Sequence, residues 1–310
     1  MAHHVFHPVV YYNTFAEHPV ALHVAPGDTV ATTTVDAAGR DATGEAITRA
    51  GNPMTGPFYV TGAEPGDAIS IRVTKLRPNR PHGWASTRLA PNTLDPEFVA
   101  EFRDEQGEGR VTWRIDIANE RVVLDEGVAG LAGYSLPLDP MIGCLGVAPP
   151  REQAISTATS AEHGGNMDYR GIGLGATLYF PVFAPGALFF LGDGHAVQGA
   201  GEMAGTGVET SFDVEFEIGL IKSNGADQVR WPRGENEREL FTLGNARPLD
   251  QAAQNATTEM TRWLMNGHGL SFEAASVIIG QAADYKIGNM FDPAYTMVCI
   301  VPKDVLPKRA

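Results

Sequence analysis

Ala187-Leu188-Phe189-Phe190-Leu191-Gly192-Asp193-Gly194-His195-Ala196-Val197-Gln198-Gly199-Ala200-Gly201-Glu202 is the stretch on which the reading of this chain turns. Residues 187–191 are apolar without a break, the pattern of a strand buried on both faces. After Leu191 the chain switches to glycines, acids, one histidine and one glutamine. Side chains on a strand alternate faces, so Asp193 and His195 project to the same side. A carboxylate and an imidazole converging at a strand end suit a divalent cation, which both ligate well. Glu202 supplies a further carboxylate. A solvated glycine-rich turn is the plainer alternative, and the concentration of titratable groups argues against it.

Strand signals extend in both directions from there. Residues 177–183 form a second apolar run, joined to the first by Pro185-Gly186. Residues 208–221 alternate as one long strand carrying Glu209, Glu215 and Glu217, the last two on a solvated face. Residues 111–117 alternate strictly, with 121–124 as the hairpin partner. Pro26-Gly27-Asp28 and Pro65-Gly66-Asp67 are turns, each followed by an alternating strand. Asp36 falls at the end of the first of these strands. His82-Gly83-Trp84 reads as a surface loop, and 91–108 as an acidic loop with a short helix. Helices come late. Asp250 is read as an N-cap, 252–264 carry apolar residues at helical spacing, Gly267 ends that helix, and Ser271 opens a second through about 283. The Trp263 and Met260 stripe is core packing, and His268 is structural.

Bulk properties narrow the function. The chain has 310 residues, 43% of them hydrophobic, enough for a sizeable core. Thirty-seven acids against 23 bases leave a net charge of −14, which disfavours nucleic acid or an anionic membrane surface as partner. Cys144 and Cys299 each lie in an apolar run and read as buried free thiols. The N-terminus has no charged region leading into an apolar one, and no apolar stretch approaches the ~18 residues of a membrane span, so a cytoplasmic location is expected. The histidines near Met1 read as an edge-strand or loose terminus. A soft boundary at Pro149-Pro150 divides an N-terminal β part, 1–150, from a C-terminal β part with helices, 151–310.

A second polar segment, Glu162-His163-Gly164-Gly165-Asn166-Met167-Asp168, offers site residues between paired glycines. Gly199-Ala200-Gly201-Glu202-Met203-Ala204 matches a dinucleotide fingerprint in letters, but a strand follows where a helix is required. There is no phosphate-loop motif, no nucleophile elbow and no HExxH.

Met141-Ile142-Gly143, Leu145-Gly146-Val147-Ala148-Pro149, His163 to Asp168, Leu178-Tyr179-Phe180-Pro181-Val182, Pro185-Gly186-Ala187, the 192–196 motif, Pro26-Gly27-Asp28-Thr29, Thr55-Gly56-Pro57 and Asp292-Pro293 together resemble the acetamidase/formamidase family. The resemblance spans nearly the whole chain. It implies a mainly β fold of interleaved sandwich and barrel-like parts with a small C-terminal helical pair. It also implies an oligomeric, metal-containing amidase of short amides such as formamide or acetamide. Two positions depart from the family pattern: Ala200 stands where an acid is usual, and Asn52 where His commonly precedes proline. On this reading the cofactor is a divalent metal, zinc or alternatively calcium. Asp193 and His195 are its ligands, with Asp36 as a third. Glu202 is the general base, and His163 and Asn166 hold the carbonyl or oxyanion. A non-catalytic metal- or ligand-binding β-protein on the same scaffold is the rival. Because the presumed ligands lie on both sides of residue 150, the two parts are expected to pack as one unit. Exposed strand edges point to a homo-oligomer.

Overall fold

The computed structural model describes residues 1–101, 109–125, 127–223 and 228–307. Part of the acidic loop read at 91–108 lies outside them; its short helix is Pro96–Glu101. The chain is mainly strand, organised as a nine-stranded and an eleven-stranded sheet. Strands from before and after residue 150 alternate in both. In the nine-stranded sheet, Phe212–Ile221 lies between Thr29–Thr34 and Ala68–Pro78, and Ala68–Pro78 pairs in turn with Thr177–Pro181. In the other, Phe189–His195 pairs with Met141–Gly146, Thr55–Val60 and Glu209–Thr210. The soft boundary at 150 is therefore not a seam in the hydrogen-bonded structure.

The inward faces of the two sheets meet in one apolar core. Phe216 of the first sheet touches Phe58 and Phe189 of the second edge-on, with centroids 5.4 and 5.5 Å apart. All three rings are fully buried, and each removes ~1.5–3 kcal/mol worth of apolar surface from water. The strand read at 187–191 begins two residues later and continues through His195. Its polar end is thus held inside the sheet and not released into a turn.

Residues 208–221 form two strands, Glu209–Thr210 and Phe212–Ile221, and Ser211 carries the chain from one sheet to the other. Asp213, Glu215 and Glu217 stay partly exposed, whereas Glu209 is buried. His82–Ser86 is a strand and not a loop.

The two helices cover the outer face of the nine-stranded sheet. Leu249–Arg262 packs Ala256 and Met260, with Trp263 and Leu264 just beyond, on Leu240, Cys299 and Val301. That helix starts at Leu249. Asp250 lies in its first turn, favourable to the dipole, and is not the cap. The left-handed residue beyond it is Gly269 and not Gly267. Ser271 caps Phe272–Ala282 by accepting from the Ala274 amide at 3.2 Å. Both cysteines are buried free thiols. No helix among the described residues is long and apolar enough to cross a membrane.

Candidate active site

The polar end of Phe189–His195 forms one wall of a cavity of about 590 Å³. Asp193, Glu202, Glu209, Asp292, Asn52 and Asn166 line its floor, while Asp168 and His195 lie behind them, fully buried. Each comes from a different place. Asp168 follows the short strand Gly164–Asn166, and its amide donates to Gly143 O at 3.1 Å. Glu209 enters from the strand beside His195. Asp292 follows Asp284–Asn289, where Asn289 Oδ1 accepts from the Phe291 and Asp292 amides at 2.8 and 2.9 Å. Asn52, Asp168, Asp193 and Glu202 all have positive φ, between 47° and 58°. Strained backbone of this kind persists where its surroundings over-determine it, commonly at sites.

The ligand atoms converge. Those of Asp168, Asp193 and His195, those of His195, Glu202 and Glu209, and those of Asp168, Glu202 and Asp292 form three groups, each within 4.8 Å. His195 Nδ1 lies 2.7 Å from Gln198 Oε1, and Gln198 Nε2 donates to Asp168 O at 2.7 Å. The second bond makes Gln198 Oε1 the acceptor, so Nδ1 carries the proton and Nε2 faces the acids. Nε2 is 2.8 Å from Glu209 Oε1 and 3.6 Å from Asp193 Oδ1, yet makes no well-directed hydrogen bond. Asp168 Oδ1 and Glu209 Oε2 are likewise buried without partners among the described residues.

Five carboxyls around one imidazole are unfavourable in a buried place without protons or a cation. Burial pushes the Glu209 and Asp292 carboxyls up to about 7. Burial and neighbouring acids hold Asp168 and Glu202 well above the ordinary range. Burial opposes charge on His195, but Glu209 and Asp193 outweigh it and raise the imidazole. A divalent ion held there would offset this excess. The unpartnered lone pairs, the oxygen-rich donor set and the oriented histidine fit one.

The asparagines organise the acids. Asn289 Nδ2 donates to Asp168 Oδ2 at 2.6 Å and Asp292 Oδ2 at 2.5 Å. Asn52 Nδ2 donates to Asn166 Oδ1 and Asp193 Oδ2, both at 3.1 Å. Asn166 Nδ2 donates to Asp292 Oδ2 at 2.6 Å. Gly143 and Gly207 leave room for the cluster. A Cβ on Gly207 would stand 2.6 Å from His195 Cγ, and one on Gly143 would stand 2.9 Å from Asp193 Oδ2 and closer still to Asp168. Gly143→Ala should therefore lower metal affinity and turnover while leaving the circular dichroism spectrum unchanged. Wild-type metal content in this variant would show that the Asp168–Asp193 spacing is not critical.

Two expected site residues stand elsewhere. Asp36 is fully buried, but both of its oxygens are taken. Oδ1 accepts from the Ala38 and Arg40 amides at 3.0 and 2.8 Å, and Oδ2 from Arg80 Nη2 and from Trp84 Nε1 at 3.0 Å. It belongs to none of the three groups and holds Arg80 and Trp84 instead. Asp36→Ala would strand the buried Arg80 guanidinium, at a cost of about 3–5 kcal/mol. Urea denaturation measures this, and a loss below about 1 kcal/mol would refute it.

His163 lies just before the strand Gly164–Asn166, separated from Asn166 by two glycines at φ 96° and 106°. Asn166 reaches the cavity. His163 packs edge-on against Phe15, with centroids 5.1 Å apart, and is absent from the cavity wall. Burial lowers its pKa to about 3, so it is neutral, and neither ring nitrogen has a partner among the described residues. It does not face the cavity, whereas Asn166 does. Ala200 is exposed and outside this cavity, so the acid absent there is not missing from the cluster. Glu209, Asp292 and Asn289 were not singled out as site residues by the sequence. Glu209 sits in an alternating run of which only Glu215 and Glu217 read as solvated, and the other two converge only through the tertiary fold.

The acetamidase/formamidase family model matches residues 6–156 and 151–306. The acetamidase of Mycolicibacterium smegmatis is 25% identical over 243 residues, 63% of this chain and 59% of that protein. The formamidase of Methylophilus methylotrophus is 23% identical over 209 residues, 54% of this chain and 51% of that protein. The chain thus spans little more than half the length of these curated relatives. The crystal structure of an acetamidase from Yersinia enterocolitica superposes with a TM-score of 0.83 at 31% identity, over 99% of this chain and 94% of that one. With the matched model covering nearly every residue and a solved acetamidase aligned end to end, this chain belongs to the acetamidase/formamidase family.

Proposed function

We propose that the chain hydrolyses a carboxamide to a carboxylate and ammonia with the help of a divalent metal. The observation that carries this is the buried group Asp168, Asp193 and His195 behind a cavity faced by Glu202. Family membership supports the amide as the bond broken. Asp168, Asp193 and His195 would hold the ion. A mixed oxygen–nitrogen set suits zinc, and the all-carboxylate group of Asp168, Glu202 and Asp292 would suit calcium. A divalent ion held there supplies Lewis acidity toward the carbonyl and makes water more acidic.

The side chains do the rest. Glu202 takes a proton from the attacking water as the C–O bond forms. It returns that proton to the amide nitrogen as the C–N bond breaks, so ammonia leaves and no proton is lost. Asn166 commits one Nδ2 hydrogen to Asp292 and offers the other to the developing oxyanion. Asn52 steadies Asp193 and Asn166 together. The strand edges at His3–Val5 and Asp284–Asn289 support a homo-oligomer that pairs or covers them.

Ammonia release from a panel running from formamide to larger amides and lactams tests the proposal with metal-replete protein. Release from at least one is expected. Folded, metal-bound protein inert to the whole panel would favour the rival reading, a non-catalytic binder on the same scaffold.

A further inference from the structure

The cavity is far larger than the smallest amides require. Acetamide occupies on the order of 100 Å³, counting each heavy atom as roughly one water's ≈30 Å³, against about 590 Å³ here. The surplus space is not uniform. Beside the acids the lining carries Trp84, Arg88, Leu89, Arg110 and Phe291.

The strand register fixes the order of these groups. Glu209 lies opposite Trp84, and on the next strand Thr112 lies opposite Trp84 and Arg110 opposite Ser86. Glu209, Trp84 and Arg110 therefore run across three neighbouring strands. The Arg110 guanidinium carbon sits 3.9 Å from the centre of the Trp84 ring. Trp84 is itself anchored from below by the buried Asp36. A guanidinium held over an indole can still grip a carboxylate with two parallel bonds from its N–H groups. No carboxylate pairs with Arg110 among the described residues.

Two strand spacings across and two residues along put the Arg110 backbone roughly 12 Å from that of Glu209. An anionic group on a substrate would be repelled by the acids and drawn to Arg110. Charge therefore orients as well as attracts, leaving the neutral amide to face Glu202. Resting on the amidase reading above, we propose that the preferred substrate is an amide with a carboxylate at its far end, held by Arg110 on the Trp84 platform. Less a contact of about 3 Å at each end, that span matches an amide and a carboxylate separated by about four carbons at ~1.5 Å per bond. Leu89 and Phe291 would flank the methylenes.

Adipic acid monoamide and hexanamide form a pair of equal chain length that differs in the terminal carboxylate. Turnover of each, and of acetamide, is measured by ammonia release with metal-replete full-length protein. Binding of each is measured by calorimetry. The wild type should favour the monoamide by about 10–100-fold in kcat/KM, the span of one charge-assisted contact. That ratio should shrink as salt is raised. In Arg110→Ala it should fall to near one, and Arg110→Lys should retain part of it, with circular dichroism confirming that both variants are folded. Hexanamide turned over as well as the monoamide, or an unchanged ratio in a folded Arg110→Ala, would overturn the proposal. If no amide is hydrolysed at all, the amidase reading fails and calorimetry decides this one. Monoamide binding at least about 10-fold tighter than hexanamide, lost in Arg110→Ala, upholds the anion site, and equal binding ends it.

Discussion

His195→Ala is expected to lose the bound divalent ion and the amide-hydrolysing activity together. The imidazole sits where two of the three ligand groups overlap, so its removal opens both at once. It is also the nitrogen donor among five carboxyls, oriented by Gln198 so that Nε2 faces Asp193 and Glu209. Losing a partner outside the ligand shell typically weakens a metal site about 10–100-fold. Gln198→Leu, which removes the acceptor for Nδ1–H, should fall in that range. His195→Ala, which removes the ligand itself, should exceed it. Exhaustive dialysis against a chelator should reproduce the His195→Ala phenotype in the wild type, and added zinc should reverse it. Elemental analysis reads the metal and ammonia release reads the activity. Full activity in demonstrably metal-free protein would end the metal proposal. Activity lost with metal retained in His195→Ala would move His195 from ligand to reacting group.

The parts legible in the sequence were those set by local periodicity. The alternation at 111–117 and 121–124 corresponds to Arg110–Asp116 and Arg121–Leu124, paired as a hairpin. The Ser271 cap and the apolar stripe of Leu249–Arg262 follow the same local rules. Residues 208–221 show where local reading stops. Their alternation runs unbroken through Ser211, yet the chain changes sheets there, and the face that is solvated at Glu215 is buried at Glu209. Period two describes side-chain direction but does not reveal which sheet a strand has joined. His82-Gly83-Trp84 failed for a related reason. A short strand ending in an exposed segment looks like a loop until its neighbours Arg110–Asp116 and Glu209–Thr210 are in place.

The site divides along the same line. Asp193, His195 and Glu202 lie within one stretch of ten residues, and the structure brings them together. Asp168 arrives because its segment pairs through Gly143. Asn289 ends the strand Asp284–Asn289 and Asp292 follows it, both over a hundred residues from Asp168, and no local periodicity marks them as site residues. Asp36 and His163 carried the right chemistry in the wrong direction. At Asp36, backbone amides and Arg80 consume the carboxylate before a metal could. At His163, the ring packs on Phe15, and Asn166, not the histidine, reaches the cavity.

Glu202→Gln should keep the metal and lower kcat by about 10²–10⁴, the usual contribution of a positioned general base. Its position separates it from the deeper acids. Asp168 and His195 are closed off behind the cavity floor, while Glu202 is 5% exposed and faces the space where an amide would lie. Its backbone is held at φ 47°, its amide donates to Gly199 O at 3.2 Å, and its own carbonyl accepts from the Gly205 amide at 2.8 Å. The carboxyl is thus presented from a fixed turn. Burial, followed by Asp168, raises its proton affinity well above that of a solvated glutamate. Glutamine preserves shape and one oxygen but cannot shuttle a proton, so KM should change little beside kcat. The decisive reading is metal content measured on the same sample as the rate. A slow enzyme with full metal assigns Glu202 to proton transfer. A slow enzyme that has lost its metal makes Glu202 a ligand through its group with His195 and Glu209, and the proton then has to pass through Asp292, another carboxyl facing the cavity.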